Sequence, residues 1–542
     1  MLRRIALAAT FVLSAFSANA ALVIAKAPTS NVTCAAGICT ATAADAVLNI
    51  KDVKTLLKAG DLTIASGSAA EDIAFNATLN WTKPHRLTLD AYRSIAFTQP
   101  VTAEGTGAVT LTTNDGGTGG DYSFTDKGKI AFWDLSSSLI INGAKYTLVG
   151  DVATLSVQIT KNPNRNYALA RYYDASADGV YGASPIITAF NGKFDGLGHA
   201  IDNLSIAFNK KDLGIDAGLF LEIGSKGVVR NLQLTSPNIQ VFSKHKQDQF
   251  VGALAGRNAG KIRDVQVIGG NVWASETVGG LVGWTSGTVA NSHVVETSVQ
   301  VTGGFNGGGG LAGDNSGTIA SSGSSAAVVG NLGTFVGGLL GNNFGSVSLS
   351  YSSGTVEAGG AQFGNDGSSY SGGFVDYNEG TIDQSWSSSP VYGGTGAAGG
   401  VHESDNYTGG FADQNFGTIS RSYVTGAVSA GEYIYMGGFV RFNAQGGEID
   451  ASYTISSLTC SYCEAKGPFF ATGCPAGSDD YWDSDTTFAT GRSKKSDDCP
   501  AVSSLTDAQL KSGLPAGFTP SIWGQSASIN DGYPYLLANS PQ

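Results

Sequence analysis

From Val47 to about Gly150 apolar and polar residues alternate, as in Leu87-Thr88-Leu89-Asp90-Ala91-Tyr92 and Val109-Thr110-Leu111-Thr112-Thr113, and Asn114-Asp115-Gly116-Gly117 supplies a turn. A period of two marks half-buried strands, so this stretch predicts strands separated by Gly-rich turns. Two segments interrupt it with helical spacing: Asp52 to Lys58, ending at Gly60, and Val152 to Ile159, ending before Pro163. From Phe220 to Phe439 the pattern becomes a repeat. A Gly-Gly-apolar turn recurs, clearest in Gly279-Gly280-Leu281-Val282-Gly283, Gly309-Gly310-Leu311-Ala312-Gly313 and Gly337-Gly338-Leu339-Leu340-Gly341. It continues in Gly372-Gly373-Phe374, Gly409-Gly410-Phe411 and Gly437-Gly438-Phe439, with looser copies at Gly218-Leu219-Phe220 and Gly252-Ala253-Leu254. The eight anchors are spaced 27 to 37 residues apart, the range in which one repeat is one coil of a stack. With strand neighbours about 4.8 Å apart, eight coils rise about 35 to 40 Å.

The repeat resolves into columns. Four residues after the anchor, in the seven copies from Leu254 on, stand Asn258, Thr285, Asn315, Asn343, Asn378, Asn415 and Asn443. Asn tolerates a left-handed turn conformation, and stacked Asn side chains hydrogen-bond along in-register strands. A Gly then precedes by two residues Ile262, Val289, Ile319, Val347, Ile382, Ile419 and Ile449, which are expected to point inward. Three residues further on come Ser292, Ser322, Ser350, Ser385, Ser422 and Ser452, and Tyr351, Trp386, Tyr423 and Tyr453 follow directly in four of the last five copies. Adjacent strand residues face opposite sides, so Ser and aromatic are on opposite faces, and alternation leaves open which face is buried.

These columns resemble the GLUG motif, named for a Gly-Leu-x-Gly core that stands here as Gly280-Leu281-Val282-Gly283, Gly310-Leu311-Ala312-Gly313 and Gly338-Leu339-Leu340-Gly341, over about residues 218 to 460. Later copies depart, with Phe for Leu and with Asp376, Asp413 and Arg441 for the last Gly. Flanking stretches such as Ser138-Leu139-Ile140-Ile141-Asn142-Gly143 look like parts of large bacterial exoproteins of the filamentous haemagglutinin type. The resemblance implies an all-β fold, a right-handed parallel β-helix (β-solenoid), displayed outside the cell as an adhesin. The secretion-domain motif of that group has only Asn162-Pro163-Asn164-Arg165 as a near match, far from the start. Both ends of a stack must be capped, because an exposed edge pairs with another chain and invites self-association. The expected layout is a signal peptide at 1–20, a β-rich segment continuous with the solenoid at 21–210, the GLUG-type β-helix at 211–460, and a Cys-containing cap at 461–542.

Composition narrows the partners. Glycine is 75 of 542 residues, charged residues are 14% and hydrophobic residues 42%, the balance of a packed chain rather than a disordered one. The start Met1-Leu2-Arg3-Arg4, the apolar run from Ile5 to Phe16 and Ala18-Asn19-Ala20 read as a secretory signal cut after Ala20. Loss of Arg3 and Arg4 moves the net charge from −12 to −14, and such an acidic surface excludes nucleic acid as a partner. No later apolar run approaches the roughly 18 to 20 residues that span a bilayer. A secreted or cell-surface protein is therefore expected, with the periplasm as the other destination.

The six cysteines, Cys34, Cys39, Cys460, Cys463, Cys474 and Cys499, are an even number in an exported chain and predict disulfides. Cys34 and Cys39 are close enough to pair locally, and the other four can pair in three ways. The spacings after Cys460-x-x-Cys463 do not repeat a zinc-knuckle pattern, and no metal or cofactor is expected.

Parallel β-helices also carry pectin lyases and polygalacturonases, whose chemistry needs carboxylates facing one another on adjacent coils, one protonated and one ionised, often beside a basic residue. Asp479-Asp480 and Asp497-Asp498 lie in polar loop sequence and read as solvated, and none of the five histidines repeats with a carboxylate. No catalytic residue is nominated and the chain is read as not an enzyme. The contact candidates are Arg257, Trp284, Tyr377 and Phe442 beside the Asn column, together with Tyr351, Trp386, Tyr423 and Tyr453. Exposed aromatics on a rigid scaffold provide stacking area for sugar rings at little entropic cost; core packing is the competing reading of the second group. The expected function is an adhesin-like surface that binds glycans or surface proteins of a host or neighbouring cell. A polysaccharide lyase or hydrolase, and a structural matrix component, are the alternatives.

Overall fold

The computed structural model describes residues 20–210, 216–243, 249–303, 307–360, 368–394, 405–474, 476–486, 499 and 501–541. The expected signal peptide thus lies outside the described residues except for Ala20. The chain divides into two compact units, one reaching to Leu148 and the other formed by Val149–Asn539.

In the first unit the alternating sequence forms short strands paired mostly in parallel. Tyr122–Phe124, Ile95–Phe97, Asp72–Phe75, Ala21–Ala25 and Val47–Asn49 make one sheet, and Lys129–Phe132, Pro100–Ala103 and Leu79–Trp81 another. Helix Ile50–Ala59 begins where the Asn49 side chain accepts from the Lys51 amide and buries Ile50, Val53 and Leu57, a spacing of three and four that sets one face inward. Cys34 and Cys39 are bridged across the antiparallel hairpin Val32–Ala35/Ile38–Ala41.

The second unit opens with helix Val152–Lys161, N-capped by Asp151, and continues as coils in long parallel sheets, the arrangement of a β-helix. Each coil contributes one strand to a nine-stranded sheet that starts at Phe220–Ile223 and ends at Phe470–Thr472. The chain then enters a second ladder, which carries the Ser column, and a third, exemplified by Asn271–Ala274, Ser298–Val301 and Ala327–Gly330. A fourth ladder runs through Thr277–Gly279, Gly307–Gly309, Phe335–Gly337, Tyr370–Gly372 and Asn406–Gly409 into the next Gly-Gly turn. The third and fourth ladders fuse in the continuous strand Val428–Gly437. The connection between them varies from Ala274 to Thr277 in one coil to Glu357 to Tyr370 in another, so most of the wandering in period enters at this seam.

Elsewhere the register is strict. Ile262, Val289, Ile319, Val347, Ile382, Ile419 and Ile449 are partners from coil to coil, and all are buried. The anchors Phe374, Phe411 and Phe439, and Phe469 one coil beyond them, stack at centroid spacings of 4.7, 5.0 and 4.8 Å. Nδ2 of Asn315, Asn343, Asn378 and Asn415 each donates to Oδ1 of the next Asn at 2.8 Å, the last being Asn443, while Asn258 donates to Thr285 Oγ1. The left-handed turn role expected for this column is corrected. Positive φ falls instead on Asn291, Ser321, Leu349, Gln384, Arg421 and Ala451, each directly before a Ser, because that corner and not the Asn corner needs the reversed backbone.

Ser292 Oγ accepts the Val265 N–H, each later Ser Oγ accepts the backbone N–H of the Ser one coil earlier, and each donates to a carbonyl two residues back. The run ends at Asp480, whose carboxylate takes the Ser452 amide at 3.0 Å. Asp480 is therefore no solvated loop residue; burial pushes its pKa up to about 8. Asp497-Asp498 lies outside the described residues. Cys460 pairs with Cys463, and Cys474 with Cys499.

Candidate functional site

The aromatics that follow the Ser column do stack, Tyr351 on Trp386, Tyr423 and Tyr453 at 5.0, 6.1 and 5.1 Å. They do not form an open platform. The C-terminal segment folds over them, packing Leu510, Phe518, Trp523, Tyr533 and Leu536 against Trp386, Tyr423 and Tyr453. Trp386 Nε1 donates to the Asn539 carbonyl at 2.9 Å, the Tyr453 hydroxyl to the Pro534 carbonyl, and Asn539 Nδ2 to the carbonyls of Ser350 and Gln384. Trp386, Tyr423 and Tyr453 are buried, and Tyr351 at the end of the stack is half-buried. Their apolar area is thus removed from water by the chain itself. A cavity of about 540 Å³ beside this contact is walled by Arg421, Glu448, Asp450, Thr519 and Trp523.

The other four candidates share an outward column of the nine-stranded sheet. Arg257, Trp284, Asp314, Asn342, Tyr377, Gln414 and Phe442 are register partners in succession. Across the Gly-Gly turn the fourth ladder carries Phe335, Tyr370, Tyr407 and Tyr435, which the sequence reading missed, stacked at 4.8, 4.8 and 5.3 Å and half-buried. Their signal was a column two residues before the first Gly of each turn. A second run, Phe344, Tyr377, Phe416 and Phe442, continues at 5.8, 5.2 and 5.8 Å, with Phe344 and Phe416 exposed. Where Phe335 of the first run faces Phe344 and Tyr377 of the second, a cleft of about 480 Å³ is walled also by Asp314, Asn342 and Gln414, with Asp376 lining it.

The last position of the Gly-Gly-x-x-Gly repeat lies at this corner. At Gly283 a Cβ would come within 2.4 Å of the Val251 amide nitrogen, and at Gly341 within 3.0 Å of that of Gly308, so these coils leave no room for a side chain. Three coils place Asp376, Asp413 and Arg441 there instead, all buried. Arg441 grips Asp413 through Nε to Oδ1 at 2.9 Å and Nη2 to Oδ2 at 2.7 Å, with its guanidinium 4.5 Å from the Tyr407 ring centroid and 5.5 Å from that of Phe442. A bidentate pair of this kind is charge-assisted and fixed in orientation.

Asp376 lacks such a partner: neither carboxyl oxygen has a hydrogen bond. Burial, and then the charge of Asp413, raise its pKa well above the usual carboxylate range, with Arg441 opposing. Burial also raises Asp413, and Arg441 draws it back. Asp376 is therefore the carboxyl that keeps its proton, and Asp413 the one held against a cation. The expectation that no carboxylates converge is corrected, since neighbouring coils bring these two together with an arginine. Their signal was visible as the breaks in the last Gly of the repeat. At the other end Arg257 pairs with Asp216 and lies 4.4 Å from the Phe250 ring centroid and 5.6 Å from that of Trp284. Burial lowers His293 to about 4, and its ring stacks on Tyr351, outside the cleft.

Among the described residues no group of three or more His, Cys, Asp or Glu side chains is placed to hold a metal ion, and no helix is long and apolar enough to cross a membrane. No protein-family model matches the chain. A stretch of 151 residues, 26% of the chain, is 35% identical to halomucin from Haloquadratum walsbyi (strain DSM 16790 / HBSQ001), and it spans 2% of that protein's length. Among solved structures, one described as an IgA1 protease is similar over 60% of this chain and 20% of its own, with 16% identity and a TM-score of 0.31. Another, described as a candidate immunoglobulin A1 protease from Bacteroides ovatus, is similar over 73% and 92%, with 15% identity and a TM-score of 0.26. These protease-named neighbours overturn the expectation that the chain is not an enzyme, and that expectation is withdrawn. At such TM-scores they assign it no reaction.

Proposed function

We propose that the protein works outside the cell or on its surface, as an adhesin-like β-helix whose corner cleft holds a glycan chain. The observation that carries this reading is the pair of aromatic runs, Phe335–Tyr370–Tyr407–Tyr435 and Phe344–Tyr377–Phe416–Phe442, on either side of Asp314, Asn342 and Gln414. Ring faces one coil apart offer stacking surfaces, and the planar polar side chains between them match hydroxyl groups. Of the contacts expected from sequence, Arg257, Trp284, Tyr377 and Phe442 are retained, and Tyr370 and Tyr407 are added. The proposal includes GLUG-type repeats over 211–460, right-handed winding, a β-rich segment at 21–210, a cap at 461–542 and export through the leader at 1–20.

A second reading, cleavage of a polysaccharide in the same cleft, is favoured by Asp376 and Asp413, which supply one proton-bearing and one ion-paired carboxyl beside Arg441. A glycan array run beside a reducing-sugar assay separates the two. Retention without release of reducing ends supports binding, and release supports cleavage. Retention of no glycan, or retention unchanged in a Tyr370→Ala/Tyr407→Ala variant, refutes the cleft reading. Loss of two stacking rings at about 0.5–1.5 kcal/mol each weakens binding by about five- to 150-fold.

A further inference from the structure

We infer that the cleft selects neutral, hydroxyl-rich glycans over uronic-acid or sulfated ones, and that the Asp376 carboxyl is the group that reads the ligand. The inference rests on the glycan reading above and concerns its chemical class. Asp376 is at most 1% exposed, lines the cleft, and has neither oxygen hydrogen-bonded. A buried polar group left without partners is costly and uncommon in a native fold, and a ligand hydroxyl supplies what is missing. A carboxyl that retains its proton offers one donor and an acceptor, the pairing that a sugar hydroxyl satisfies in both directions. Asn342, whose Nδ2 donates to Asp314 Oδ1 at 2.8 Å, and Gln414, hydrogen-bonded to Asp413, add amide groups on the same wall.

The charges around the cleft argue against an anionic ligand. Asp314 contributes a carboxylate on the wall, Asp376 stays neutral and Asp413 is balanced by Arg441, whereas the two arginines near it, Arg257 and Arg441, are committed to Asp216 and Asp413. Glu379 accepts from the Tyr377 hydroxyl, adding a further negative charge near the rim. A uronate or sulfate entering here meets like charge with no unpaired arginine among these, and like-charge juxtaposition is a strong discriminator. Asp376 also stands where the preceding coils carry Gly283, Gly313 and Gly341, so it marks the coils where the corner is wide enough to hold a side chain.

The test immobilises neutral hexose and N-acetylhexosamine oligosaccharides beside uronic-acid and sulfated ones and measures retention of the full chain and of its Asp376→Asn and Asp376→Ala variants. The wild type is expected to retain neutral oligosaccharides at least about tenfold better than acidic ones at moderate salt. Asp376→Asn, still neutral and still a donor, is expected to stay within about twofold, while Asp376→Ala, melting as the wild type does, loses about tenfold. A wild type that prefers acidic glycans, or binding indifferent to Asp376→Ala, overturns the inference and leaves the glycan reading standing. Should Asp376→Ala fail to fold, the wild type's preference between neutral and acidic probes decides by itself. Retention of no oligosaccharide overturns both.

Discussion

Two aromatic columns run along the same coils and meet opposite fates. Tyr351, Trp386, Tyr423 and Tyr453 stack on the Ser side and disappear beneath the C-terminal segment, whereas Phe335, Tyr370, Tyr407 and Tyr435 stack at the Gly-Gly corner and stay half-exposed beside a cleft. Ring spacing is much the same in both, from 4.8 to 6.1 Å, so stacking alone does not separate a covered column from an open one. What separates them is cover. In the first column Trp386 and Tyr453 are tied to tail carbonyls, and the other borders polar side chains that include the carboxyl of Asp376, which has no hydrogen bond.

The difference breaks most visibly at Trp523, the tail residue that packs on Tyr423 and Tyr453. Trp523→Ala is expected to cost about 3–5 kcal/mol in denaturant unfolding, as for other large buried aromatics, while the folded fraction keeps its glycan retention. An unchanged midpoint would mean that the tail is not the cover. Asn343→Ala removes one rung between the columns and leaves the Asn315 amide and the Asn378 carbonyl oxygen without partners. A loss of about 1–3 kcal/mol is expected from buried groups left unpaired, measured by the same unfolding curves.

The two buried carboxyls sharpen the contrast through pH. Asp480 ends the Ser ladder under the covered column with its pKa raised to about 8. Between its ordinary value and 8 the folded chain keeps a proton that the unfolded chain releases, so stability falls as pH rises through that window, by about 1.4 kcal/mol per pH unit. Thermal melts at pH 6 and 7 are expected to differ accordingly, and Asp480→Asn to remove that share of the slope; an unaltered slope would place the titration elsewhere. The smallest expected effect lies at the open column. Tyr407→Ala should weaken glycan retention by about 0.5–1.5 kcal/mol and cost about as little in unfolding free energy through its lost ring contacts, well below the Trp523 result.

The stack was legible because its residues recur at fixed offsets. Ile262, Val289, Ile319 and the Asn and Ser columns each occupy one place per coil, and parallel in-register pairing turns that repetition directly into contacts. The fate of the aromatics was not legible, because the groups that cover them are distant and unrepeated: Tyr453 meets Pro534 across 81 residues and Ser350 meets Asn539 across 189. The left-handed corner was misplaced for a related reason, since Leu349, Arg421 and Ala451 share no side-chain character that announces positive φ. Asp376, Asp413 and Arg441 were visible as departures from Gly, yet their convergence depends on a corner geometry that only the fold supplies.

The seam between the third and fourth ladders has an evolutionary consequence. Because surplus residues are shed mainly at that one place, whole coils can be duplicated, lost or lengthened by recombination without disturbing the inward columns. The same seam adjoins the Tyr370 and Tyr407 run, and its changes in length leave the inward columns constant. Variation in coil length and preservation of the core are thereby assigned to different residues of one repeat.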